Sequence, residues 1–196
     1  MVFFIKDLLL FCFQKFSLKI SRQFTRIFAD QKKLFLSKEL PVSATGNIEI
    51  GKNLLKKINL FGNVLLDVET DNPWRILPFS EEVEVGIDGF SWLNDLAIIN
   101  NQSSRDLSGE WIVSFPLDRL NMNISSSTAR LSAILRNFSY LEISSEKEVL
   151  NKVNKIIKND YYFLSFYKIF SLNIFERLTI YHSLILSGHA FNFTKK

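Results

Sequence analysis

Apolar residues recur at helical spacing over much of the chain. Leu8, Phe11, Cys12, Phe16, Ile20, Phe24, Ile27 and Phe28 form one stripe, with Lys and Arg on much of the other face, which predicts an amphipathic helix over 8–28. A polar, then mixed, connector follows from Gln31 to Pro41. Ile48 and Ile50 alternate with Asn47 and Glu49, the period-two pattern of a short strand. The run Val64-Leu65-Leu66-Asp67-Val68 is apolar enough for a second extended segment. Asp71-Asn72-Pro73 marks a turn, because proline pushes the residue before it away from helix.

Beyond this turn the pattern is helical. Val83, Ile87, Phe90 and Ala97 predict a helix that starts at an N-cap on Ser80, with Glu81 and Glu82 in its first turn and Gly86 and Gly89 weakening it. Ser103 or Ser104 can cap a short helix through Leu107, Trp111 and Ile112, which Pro116 ends. Asn121 to Ser127 reads as a polar loop, and Leu131, Ile134, Leu135, Phe138 and Leu141 stripe a helix over 128–141. Ser145-Glu146-Lys147-Glu148 fits a capping box ahead of a helix with Val149, Val153, Ile156 and Ile157 inward. The aromatics between Asp160 and Phe170 suit a buried helix. Asn173 can cap a last helix whose face is made by Leu178, Tyr181, His182 and Ile185 and which Gly188 stops. Short helices in succession are the pattern of stacked helical hairpins, so the expected fold is mainly α behind a short extended segment.

Composition narrows the chemistry. The 196 residues suffice for one domain with a sizeable core, and 47% hydrophobic against 22% charged residues is a globular balance. A net charge of +4 allows attraction to an acidic polymer or surface without requiring it. One cysteine, Cys12, excludes an internal disulfide, and with only His182 and His189 beside it no metal site or cofactor is expected. The N-terminal apolar run is broken by Lys6 and Asp7, too short to span a bilayer and poor as a secretory signal. A cytoplasmic protein is expected, with membrane-surface contact of the first helix a minor alternative. Dispersed basic residues give no nucleic-acid signature.

Three landmarks carry a family resemblance: NPW leading to FSWLNDL (72–96), ARLSAIL (129–135) and RLTIYHSLILSG (177–188). Over roughly residues 45–191 the chain resembles the N-terminal part of the bacterial heparinase II/III-like polysaccharide lyases. The Phe61-Gly62 pair is closer than the family's Phe-x-Gly, and Met122 stands near the place of a family tryptophan. The resemblance implies an incomplete (α/α) toroid over 41–191, preceded by the helix and connector of 1–40 and followed by a tail at 192–196. It implies a lineage that cleaves uronic-acid polysaccharides by β-elimination. It also implies inactivity alone, because the Asp-Gly-Gly-His-x-x-Arg-Asn-like segment that neutralises the substrate carboxylate would come after residue 196. The partners implied are the remainder of such a lyase as a separate chain, or an acidic polysaccharide.

No catalytic, cofactor or metal residue is therefore assigned. Tyr167, Tyr181 and His182 are acid–base candidates by type, but Tyr181 and His182 point about 100° apart on a helix. A buried or half-buried structural histidine is the plainer reading. Phe90 and Trp92 read as core packing, with sugar stacking the alternative. Arg130 reads as a surface or structural ion pair, with a groove cation the alternative. A non-enzymatic helical module that binds a partner protein or an anionic polymer is the second function expected.

Overall fold

Asparagine side chains begin several of the helices. Asn47 Oδ1 accepts from the N–H groups of Glu49 and Ile50, Asn101 Oδ1 from Ser104, Asn123 Oδ1 from Ser125 and Asn173 Oδ1 from Phe175. Each satisfies donors that a helix N-terminus otherwise leaves open. The chain is seen in a computed structural model that describes residues 13, 16, 19, 20, 23 and 25, then 46–56, 59–61, 64–66, 73–75, 80–117, 123–144, 146–169 and 173–190.

Along these residues run α1 (Ile48–Leu55), β1 (Asn59–Phe61), β2 (Val64–Leu66), a 3-10 turn (Pro73–Arg75), α2 (Glu81–Asp88), α3 (Ser91–Ile99), α4 (Gln102–Ser114), α5 (Ile124–Arg136), α6 (Phe138–Ser144), α7 (Lys147–Tyr167) and α8 (Ile174–Ala190). The fold is mainly helical. The two strands form one antiparallel hairpin in which Leu60 pairs with Leu65. Helix α5 lies at the centre, packed against α2, α3, α7 and α8. The positions described before residue 46 are helical, as the 8–28 stripe predicts, but Phe16 of that stripe is exposed and Thr25 is buried. The remainder of 1–45, like the 192–196 tail, lies outside the described residues.

Several boundaries differ from the sequence expectation. Ile48 and Ile50 belong to a helix, not a strand. Asn47 caps it, and its own N–H donates to the Asp95 carboxylate at 2.7 Å, tying α1 to α3. Gly51 lets the two helices touch, since a Cβ there would lie 2.3 Å from the Asp95 carbonyl oxygen. The single helix expected from Ser80 through Ala97 is two helices. Ser80 caps α2 as predicted, but Phe90 takes a left-handed backbone (φ 58°) and α3 restarts at Ser91. That conformation costs about 1–2 kcal/mol. Complete burial of the Phe90 ring, worth about 1.5–3 kcal/mol, offsets it.

Asn101, not Ser103 or Ser104, caps α4, and Ser104 completes the capping box from inside the helix. The predicted 121–127 loop is cut short because Asn123 starts α5 at Ile124; that helix closes at Asn137 instead of continuing to Leu141. Helix α7 begins at Lys147 without a side-chain cap from Glu146; the expected capping box rests on Ser145, which lies outside the described residues. The helix runs unbroken through the aromatic stretch to Tyr167, with Val149, Val153, Ile156, Ile157 and Phe163 buried. Gly188 does not stop α8, which continues to Ala190.

The last helix also faces the opposite way. Leu178, Tyr181 and Ile185 are 60%, 48% and 58% exposed, and His182 is exposed. The buried face is Ile180, Ser183, Ser187 and Ala190. The Ser183 and Ser187 hydroxyls donate to carbonyls one turn back, so small, internally satisfied side chains meet α5. Ser183 also reaches the Thr128 carbonyl oxygen of α5 at 3.4 Å. A leucine stripe turned inward would not fit a contact of this kind.

Candidate functional site

Phe90 and Trp92 are core, as their plainer reading has it, and the sugar-stacking alternative falls away. Trp74, Phe90, Trp92, Trp111 and Phe115 form one buried cluster, in which Trp92 meets Trp111 edge-on at 5.0 Å and Phe90 meets Phe115 edge-on at 5.1 Å. The indole N–H of Trp74 donates to the Trp111 carbonyl oxygen at 2.9 Å, and that of Trp92 to the Ile87 carbonyl oxygen at 3.2 Å. With polar handles satisfied and faces covered, neither Phe90 nor Trp92 can stack on a sugar.

Arg130 is a structural ion pair. It projects from α5, fully buried, and its Nε and Nη2 donate to the two carboxylate oxygens of Asp160 on α7 at 2.8 and 2.7 Å. Its Nη1 donates to the Asp88 carbonyl oxygen at the end of α2, and its guanidinium lies 5.3 Å from the Phe115 ring centroid. Burial pushes the Asp160 carboxyl above its ordinary value, while Arg130 pulls it back. A cation clamped on three helices serves packing and is out of reach of a groove ligand.

The acid–base candidates are not brought together. The Tyr167 ring is buried and burial raises its hydroxyl pKa. Tyr181 and His182 lie on the exposed side of α8, so the expectation of a buried or half-buried His182 is corrected. Among the described residues no group of His, Cys, Asp and Glu could hold a metal ion, and no helix is long and apolar enough to cross a membrane.

Two surface features remain that sequence reading did not isolate. One is the outer face of α8, where Ile174, Leu178, Tyr181 and Ile185 repeat at four, three and four residues, with Phe175 beside them at 75% exposure. The apolar spacing was legible; its direction depends on what α5 presents. The other is an open groove of about 340 Å³ between α2, α3 and α5. Gly86, Gly89, Ala129 and Ala133 floor it, and Asn94, Ser132, Arg136 and Glu82 bring polar groups to it. A shallower groove of about 310 Å³ adjoins it on the α8 side, where Ser132 is shared and His182 and Thr179 line the edge. Comparison with protein-family models, with curated proteins and with solved structures found no match.

Proposed function

We propose that this chain is a helical interaction module, a part of a heparinase II/III-like toroid lineage inactive alone, whose outer α8 face docks an amphipathic helix of a partner polypeptide. The supporting observation is the spacing on α8: a four-three-four apolar repeat is the narrow seam that one packed helix covers. Its five exposed apolar side chains offer on the order of 500 Å², at the upper range of patches on monomeric proteins and below the ~800 Å² per side of a standard interface. An extended helical partner that also touches the seam's flanks supplies the difference. The chain's net charge of +4 favours an acidic partner over a second copy of itself.

In the lineage reading the partner helix is the next hairpin of the toroid, carried on another polypeptide. The test uses a synthetic acidic amphipathic helix with leucine at its a and d positions. Binding to the wild type and at least tenfold loss in Leu178→Glu is expected. Absence of binding, or self-association through α8 in its place, overturns the assigned partner. Appearance of unsaturated-uronate absorbance when the chain alone meets uronate polymers overturns its inactivity.

A further inference from the structure

The groove between α2, α3 and α5 carries polar groups that the packing leaves unused. The side chain of Arg136, half-buried in the last turn of α5, makes no ion pair or hydrogen bond with any described residue. Its favourable interaction with the helix C-terminus accounts for a cation in this turn, but not for its place on the groove wall. The Ser132 hydroxyl, one turn earlier, likewise bonds to none of the described residues.

Asn94 is held in one orientation. The buried Asn137 donates its amide to Asn94 Oδ1 at 2.7 Å and to the Ala133 carbonyl oxygen at 2.8 Å. Oδ1 is thereby the acceptor, and the Asn94 Nδ2 group is a donor with no acceptor among the described residues. The residues beneath these donors, Gly86, Gly89, Ala129 and Ala133, are small and apolar. Gly89 lets α2 and α5 approach there, because a Cβ would meet the Val85 carbonyl oxygen at 2.2 Å and Ala129 Cβ at 2.9 Å.

We propose that this groove binds the carboxylate of a small apolar acid, held by Arg136, the Asn94 amide and the Ser132 hydroxyl, with its hydrocarbon body on the Gly86, Gly89, Ala129 and Ala133 floor. A guanidinium and an amide donor suit the two oxygens of a carboxylate. The volume lies at the small end of ligand pockets, which fits a body of about six to eight carbons. Glu82, exposed at the rim, disfavours a second negative charge and selects monoanions. A free acid and a peptide C-terminus share this chemistry.

Octanoate, octanamide and a short peptide ending in leucine, with a free or an amidated C-terminus, separate the cases by calorimetry or amide-shift titration. Octanoate binding below about 1 mM is expected, with octanamide at least tenfold weaker. Asn94→Asp keeps the acceptor for Asn137 but replaces the donor by a charge, and it should weaken octanoate at least tenfold. Arg136→Gln should do the same while leaving the melting temperature nearly unchanged. Preference for octanoate over the free-ended peptide assigns the free acid, and the reverse assigns a chain terminus. Equal binding of octanoate and octanamide, insensitivity to both variants, or no binding at about 10 mM overturns the site.

Discussion

The Arg130 centre and the last helix bury their residues by opposite rules. Around Arg130, a charged side chain sits at the middle of the molecule, with both Asp160 oxygens, the Asp88 carbonyl and the Phe115 ring arranged about it. On α8, serines point inward and Leu178, Tyr181 and Ile185 point outward. Both arrangements are stable for the same reason: buried polar groups cost little when fully hydrogen-bonded, and small side chains let helices approach. The difference shows which surface each region serves. Arg130 fastens α2, α5 and α7 into one unit, whereas α8 contributes small residues to that unit and keeps its apolar seam exposed.

Breaking the Arg130 centre should have the largest effect. Arg130→Met leaves Asp160 buried without its cation and should cost about 3–5 kcal/mol, seen in chemical denaturation. Adding Asp160→Leu should restore part of that loss, because it removes the orphaned charge; no restoration would argue that the pair does not act as a unit. Gly188→Ala on α8 should have a smaller and opposite effect. Nothing lies within 4 Å of a Cβ at this helical position, so stability should rise by about 0.5–1 kcal/mol. A fall would place Gly188 in a contact.

The smallest effect concerns Asp95. Burial raises its carboxyl above the ordinary value of 3.8, and the Asn47 N–H only partly counters this. Because the folded value lies above the unfolded one, the native state bears a cost for the charge at neutral pH. That cost fades as pH falls through the raised value towards 3.8. Asp95→Asn keeps an acceptor for Asn47, so it should be slightly more stable than wild type at pH 7 and lose that advantage near pH 4. An advantage independent of pH would remove the charge from the explanation.

The helices were legible where local chemistry decides them. Ser80, Asn173, Pro116 and the stripe Leu131, Ile134 and Leu135 announced α2, α8, the end of α4 and α5. Reading failed where distant residues decide. The Ile48/Ile50 alternation yields to a helix that Asn47 starts and Asp95 anchors, 48 positions away. Phe90 breaks its helix because the aromatic cluster holds its ring, and no periodicity reports that. Arg130 was legible as an ion pair but its partner was not. The groove escaped notice because Asn94 gains its meaning only from Asn137, 43 positions away.

The α8 stripe is an outer surface and not core. The most direct measurement is thermal unfolding of the double variant Leu178→Glu with Ile185→Glu, followed together with binding of the dye ANS. A cooperative transition within a few degrees of wild type is expected, since substitutions at exposed sites stay within about 0.5 kcal/mol each, together with a several-fold drop in dye binding. Loss of the cooperative transition would contradict it, because two charges can unfold this protein only if the stripe is buried.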